Sequence, residues 1–203
     1  QEELTARNQL LRKTYKKEAE RRKLEEQNRL LNIIQSQTSR QYELLSHYME
    51  KLEQTESREE YELILSKIVV VGTYLKRRKN LMLTRYSSRE DSLTMADLKQ
   101  SLAESCENLK LCEIKAAYFV QDKEKQLCAD DVLKCYDFFE WLIEQLFDVM
   151  NSVFFRVTHI EEKLQISVHI VSQEDIRPYL AEKPGLLIEQ EEEQEWFIRC
   201  PVS

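Results

Sequence analysis

The chain has 203 residues, 42% of them hydrophobic and 33% charged, a balance that excludes intrinsic disorder and describes a helix-rich chain able to bury a core in one or two domains. Its formal net charge of −7 is unevenly spread, residues 1–85 carrying +5 and residues 86–203 carrying −12. No apolar run approaches the roughly 20 residues of a membrane-spanning helix, so no membrane contact is expected within these residues.

From Glu2 to Glu53 there is neither glycine nor proline, and Leu24, Leu31, Thr38, Leu45 and Leu52 recur every seven residues, with Ile34 and Tyr48 three places after two of them. That spacing is a coiled-coil seam. Leu4 and Leu11 repeat the interval in a shifted phase, which predicts a slip of register. The charges of this half alternate in sign along the helix, the pattern of a solvated face, so no nucleic-acid partner is expected.

Ser57 and Glu60 have capping-box spacing and start a second helix after a turn near Thr55–Glu59. Tyr61, Ile64, Ile68, Val71 and Leu75 then form an apolar stripe that folds back along the first helix. The expected product is a helical hairpin over residues 1–85. Two copies bury its remaining apolar surface as a four-helix bundle, so a homodimer is expected. The basic tetrad Lys76, Arg77, Arg78 and Lys79 has two readings: cations complementing a helix end, or a docking patch for an acidic partner.

Tyr86–Ser92 has no apolar pattern and reads as a linker, with a second domain over residues 93–203. Thr94 and Asp97 cap a helix over 95–111, and a strand follows at Ile114–Val120. Asp130 and Asp131 are expected caps of a packed helix over Val132–Val149. Phe154–Val157 and Leu164–Ile170 read as strands joined by a turn over His159–Lys163. The acidic run Glu189–Glu193 has no strand pattern, and Trp196–Cys200 reads as a final strand. Helix, strand, helix, hairpin and strand together predict an α+β sandwich. The aromatic segment Tyr136, Phe138, Phe139, Trp141, Phe147, Phe154 and Phe155 is assigned to its core.

Five cysteines without a CxxC pair and only three histidines predict no metal cluster. Cysteines inside amphipathic patterns read as buried thiols of a reducing compartment, here the cytoplasm. The chain starts at Gln1, with neither an initiator methionine nor a signal-peptide pattern, so a sensor or membrane-embedded region is expected upstream.

A helical hairpin followed by an α+β sandwich resembles the dimerisation and ATP-binding domains of sensor histidine kinases over residues 35–203. Gly72-Thr73-Tyr74-Leu75-Lys76-Arg77-Arg78-Lys79-Asn80-Leu81 is similar to a stretch in kinase-like proteins of Gram-positive bacteria. In that family a Glu-x-x-x-Asn motif on the helix before the strand hairpin holds the magnesium of ATP. The resemblance places Glu140 at its first position and Glu144 where asparagine is expected. A row of Glu140, Glu144 and Asp148 every four residues better fits a solvent-facing helix side.

The family's Asp-x-Gly-x-Gly element would recognise adenine, but here the chain reads Ile170-Val171-Ser172-Gln173-Glu174-Asp175, with no glycine until Gly185. The stretch corresponding to the glycine-rich ATP lid holds Pro178, Tyr179, Pro184 and Gly185 instead. His47 is the histidine of the first bundle helix and the candidate phosphoacceptor, although Tyr48 follows it where active kinases carry an acid. The resemblance therefore implies a degenerate kinase: a dimeric cytoplasmic signalling module without ATP as cofactor, acting on a protein partner such as a response regulator. The alternative is a divergent enzyme that uses ATP and magnesium to phosphorylate His47.

Overall fold

The computed structural model describes residues 2–87, 91–122, 124–160 and 163–201. Three helices come first: α1 (Glu2–Gln37), α2 (Ser39–Gln54) and α3 (Arg58–Ser87). The predicted first helix is thus interrupted at Thr38, whose hydroxyl donates to the Ile34 carbonyl at 2.7 Å. Such back-bonding competes with the backbone ladder and bends helices. By its contacts the chain divides into two compact units, Gln1–Tyr42 and Glu43–Ser203.

In the first unit Leu30, Ile34 and Thr38 are buried, while the seam leucines Leu24 and Leu31 are exposed. Exposed ion pairs such as Arg22 with Glu18 and Arg21 with Glu25, each four residues apart, line α1. They support a solvated helix by a few tenths of a kcal/mol apiece.

The second unit begins within α2 and turns at residues 55–57. Ser57 caps α3 there, accepting the Glu60 N–H at 3.4 Å. Of the predicted α3 stripe, Ile64 and Val71 are buried and Tyr61 is exposed; Val70, Tyr74, Leu81 and Met82 are buried as well. The expected linker overlaps residues 88–90, which lie outside the described residues, but Ser92–Thr94 already forms a strand, β1.

Helix α4 (Met95–Leu109) carries the predicted capping box in full: Thr94 Oγ1 accepts from the Asp97 N–H while the Asp97 carboxylate accepts from the Thr94 N–H at 2.9 Å. A short 3-10 turn, Lys110–Cys112, ends at Glu113 in the left-handed region (φ 60) and leads into β2 (Lys115–Val120). Strand β3 (Gln126–Cys128) pairs antiparallel with β1, a two-stranded sheet that the sequence pattern does not show because each strand has only three residues. Helix α5 is Ala129–Leu146. Its N-cap is Cys128, so Asp130 and Asp131 are not caps; they sit in the first turn, where negative charge complements the helix pole.

The main sheet comprises β2, β4 (Met150–Ile160), β5 (Lys163–Ser172), β7 (Glu195–Pro201) and β6 (Leu187–Glu192), in the order β2-β4-β5-β7-β6. Only β2 and β4 run parallel; the other pairs are antiparallel. The strand hairpin is longer than predicted. His159 lies within β4 rather than in a turn, and residues 161–162 of the predicted turn lie outside the described residues. The acidic run Glu189–Glu193 is also corrected: Leu187–Glu192 is the edge strand β6, hidden from sequence patterning because almost all of it is exposed.

Burial alternates along β5, with Leu164, Ile166, Val168 and Ile170 inward and His169 and Val171 less covered on the opposite face. The inward face is covered by α4 and α5, where Phe139 meets Phe155 edge-on with ring centroids 5.2 Å apart. Helix α3 packs in turn on α4 and α5, so the second unit is α+β in three layers: sheet, two helices, and the long helix outside them.

Candidate functional site

The site implied by Glu140 and Glu144 lies on α5, between the sheet and α3. Leu133, Tyr136, Phe139, Leu142, Ile143 and Leu146 pack into the core and fix the helix, and they leave Asp137, Glu140, Glu144 and Asp148 in a row at three- and four-residue steps. Of this row Glu140 is enclosed, Asp137 and Glu144 are half-covered, and Asp148, just past the end of α5, is exposed.

Helix α3 supplies cations and hydroxyls to it. Lys67 Nζ pairs with Asp148 Oδ1 at 2.5 Å. Arg78 grips Asp137 through two bonds, Nε to Oδ1 at 2.7 Å and Nη2 to Oδ2 at 3.0 Å, and the Tyr74 hydroxyl donates to Oδ1 at 2.8 Å. Arg78 is buried, which works against its charge, but the Asp137 carboxylate more than offsets this and holds the guanidinium protonated. Burial, then Asp137 itself, raises the Tyr74 phenol far above its ordinary range.

Glu140 is 1% exposed, and neither carboxylate oxygen has a hydrogen-bond partner. An ionised carboxylate so placed would cost several kcal/mol. Burial first, then the neighbouring Glu144 and Asp137 charges, raise its pKa well above the carboxylate range, so Glu140 is held as the neutral acid. Tyr48, on α2, is half-buried and senses the same row. Burial, followed by the charges of Asp148 and Glu144, pushes its phenol to about 12. Close by, the Tyr136 hydroxyl shares a hydrogen bond with Ser105 at 2.8 Å.

His47 itself is exposed on α2, its ring 6.3 Å from that of Tyr48. The structure thus brings Tyr48 under the influence of Asp148, Glu144 and Glu140. The basic tetrad does not cap a helix end, one of its two predicted roles. It lies eight to eleven residues before the last residue of α3. Lys76 and Arg77 both pair with Glu104 of α4, Arg78 is committed to Asp137, and Lys79 is exposed. Sequence reading missed Lys67, Tyr74 and Asp137; the signal was the row of acids on α5 facing a row of cations on α3.

The segment standing where the lid is expected, residues 173–186, is folded down. Ser172 Oγ accepts the Glu174 N–H, Asp175 holds Arg177 through both carboxylate oxygens, and Tyr179 donates to Glu174 at 2.6 Å. Ile176 and Leu180, the latter in the short helix α6 (Arg177–Leu180), are fully buried. Lys183 Nζ lies 4.8 Å from the ring centres of both Phe138 and Trp141 on α5. Gly185 adopts φ 88, a conformation that only glycine takes without strain, and turns the chain into β6.

These residues do not fit a nucleotide with magnesium. A magnesium ion keeps several waters about it, whereas Glu140 is enclosed at 1% exposure. Two surface grooves, one along Asp91, Ser92, Lys125 and Asp131 and the other along Glu59, Glu62, Cys112 and Glu113, lie elsewhere.

No family model and no curated protein matches the sequence. Among solved structures the chain is similar to a bacterial phosphotransferase, with 12% identity and TM-score 0.42 over 84% of this chain and 92% of that one. It is similar to the Acinetobacter baumannii histidine kinase AdeS, with 6% identity and TM-score 0.37 over 80% and 95%. It is also similar to the histidine kinase ThkA in complex with the response regulator protein TrrA, with 11% identity and TM-score 0.35 over 85% of this chain and 63% of that one. Likenesses of this size decide nothing about chemistry. No helix among the described residues is long and apolar enough to cross a membrane.

Proposed function

We propose that this chain is a histidine-kinase-like signalling module that works as a homodimer and acts on a protein partner, a response regulator in the first place, by conformational change rather than by ATP chemistry. The observation that carries this reading is how α3 holds α5 and the turn after it: Arg78 and Tyr74 grip Asp137, Lys67 pairs with Asp148, and Glu140 is enclosed and kept protonated. A helix held this way transmits force. Displacing α3 pulls directly on α5 and, through Phe139 and Phe155, on the sheet.

What supports dimerisation is apolar surface left uncovered in the single chain. Leu24 and Leu31 stand seven residues apart on α1, and Tyr61, Leu65 and Val69 stand at four-residue intervals on α3. A second copy would cover such stripes in the manner of a bundle. Lys79, exposed on α3, belongs to the partner-facing surface in this reading. Its cytoplasmic setting is supported by five cysteines that form no disulfide.

A second reading, favoured by the exposure of His47, is that this side chain accepts a phosphoryl group. Calorimetric titration of magnesium and ATP into the purified chain, with light scattering to fix its mass, tests both. A dimer giving no saturable heat at millimolar nucleotide is expected. Saturable binding lost in Glu140→Gln would overturn the non-catalytic reading and make phosphate on His47 the next assay; a monomer at micromolar concentration would overturn the dimer.

A further inference from the structure

A second group of ionisable side chains lies on the other face of the sheet, away from α4 and α5. His169 stands on the central strand β5, directly across from Phe197 of β7, and Glu195 of β7 is opposite Val171, one pleat further along the same face. Glu191 is the extra residue at the register shift between Gln190 and Glu192 in β6. One ligand atom from each of His169, Glu191 and Glu195 lies within 4.8 Å of the other two. Among the described residues it is the one group of three or more such side chains with ligand atoms this close.

We propose that His169, Glu191 and Glu195 form a binding site for a borderline divalent cation, zinc in the first place. His169 Nε2 lies 3.5 Å from the Glu191 carboxylate and 3.4 Å from that of Glu195. A direct charge-assisted hydrogen bond draws such atoms to about 2.7–2.9 Å. Ligands about 2.0–2.2 Å from a shared tetrahedral zinc stand about 3.4 Å apart. The two observed separations therefore match the edges of a coordination tetrahedron better than they match an imidazolium held by its neighbours.

The electrostatics also call for a cation. Glu195 is paired across the strands with Glu192, and like charges directly opposed weaken a ladder. Five glutamates occupy positions 189–195, in a half of the chain with net charge −12. The hairpin's one basic residue, Arg199, stacks over the Phe197 ring with its guanidinium carbon 5.1 Å from the ring centre, so it leaves most of this negative charge unbalanced. A metal between β5, β6 and β7 would neutralise part of this charge and fasten the edge strand to the sheet.

The donor set decides the class of ion. One imidazole nitrogen with two carboxylates suits zinc and its transition-metal neighbours, whereas magnesium and calcium prefer oxygen alone. Because the side chains of His169, Glu191 and Glu195 are 32%, 51% and 41% exposed, the ion has a path in, and its remaining position is left to water or a ligand. The site lies on the face opposite α5 and does not rest on the signalling reading above.

The test is calorimetric titration of zinc chloride into the chelator-treated full chain, beside magnesium chloride, repeated on Glu191→Gln, Glu195→Gln and His169→Ala. One zinc per chain is expected, with no saturable magnesium heat. Each glutamine variant should weaken zinc by about tenfold or more, and His169→Ala should abolish it. Cobalt added to the wild type should give visible absorption bands that vanish in His169→Ala. Glu191 is exposed on an edge strand, so its variant keeps the fold, as circular dichroism will verify. Absence of saturable zinc binding overturns the proposal, and so does zinc binding of unchanged affinity in the two glutamine variants.

Discussion

The two acidic clusters of the second unit, Asp137 to Asp148 on α5 and the turn after it and Glu189 to Glu195 at the β6–β7 hairpin, have similar composition and opposite treatment. On α5 the fold brings its own compensation: Lys67 and Arg78 arrive from α3, and Glu140, enclosed, keeps its proton. At the hairpin the charges stay in water, with only the His169 imidazole between them. At Glu140 burial makes the difference. A carboxylate that leaves water needs a partner or a proton at once, while one that remains half-exposed tolerates like-charged neighbours and stays available to an ion from solution.

The strongest way to break this comparison is Asp137→Ala. It removes the carboxylate from a guanidinium that is almost fully buried and from the Tyr74 hydroxyl. Urea denaturation should show a loss of about 3 kcal/mol, toward the lower end for a broken buried pair because Asp137 is itself about one-third open to water. A loss below about 1 kcal/mol would mean that α3 and α5 are held by apolar packing alone.

Glu140→Gln sharpens the same side. Its folded pKa is raised, so above the ordinary carboxyl value the native state holds a proton that the unfolded chain has released. Stability then falls as pH rises from about 4.5 toward the folded value, with a limiting slope of about 1.4 kcal/mol per pH unit. The glutamine variant lacks this slope. Denaturation of both proteins at pH 5, 6, 7 and 8 should give curves that diverge upward in pH, with the variant the more stable; parallel curves would show that Glu140 is ionised in the fold.

Two smaller effects complete the series. Asp148 is 79% exposed although its partner Lys67 is mostly covered, so Asp148→Asn should cost about 0.5 kcal/mol, read as a small fall in the urea midpoint. Without metal, His169→Ala should change stability by less than about 0.5 kcal/mol, because the ring sits on an open sheet face. A larger loss in metal-free buffer would make the imidazole a structural bridge in its own right.

Much of the fold was legible where local chemistry decides it. The Thr94–Asp97 capping box, the Ser57 cap, the β2 and β7 strands and the aromatic core assignment of Tyr136, Phe139 and Phe155 follow from side chains within a few residues of one another. The reading failed where partners are distant or strands lack an inward face. Strand β6 was hidden by its exposure, and β1 and β3 by having three residues each. Of the candidate site, Glu140 was identified by position in a motif, but nothing local shows that it is enclosed.

The sequence by itself determined the helical first half, the α+β second half and the absence of a glycine loop to cradle phosphate, because periodicity, caps and residue counts are properties of short stretches. Only the tertiary structure decided that Arg78 turns inward to Asp137, that Glu140 is enclosed beside the Lys67–Asp148 pair, and that His169 meets Glu191 and Glu195. Those three outcomes depend on residues as far as 81 positions apart, as Lys67 and Asp148 are. Charge and burial at such pairs are set by which surfaces the chain folds together, which no spacing along the sequence records.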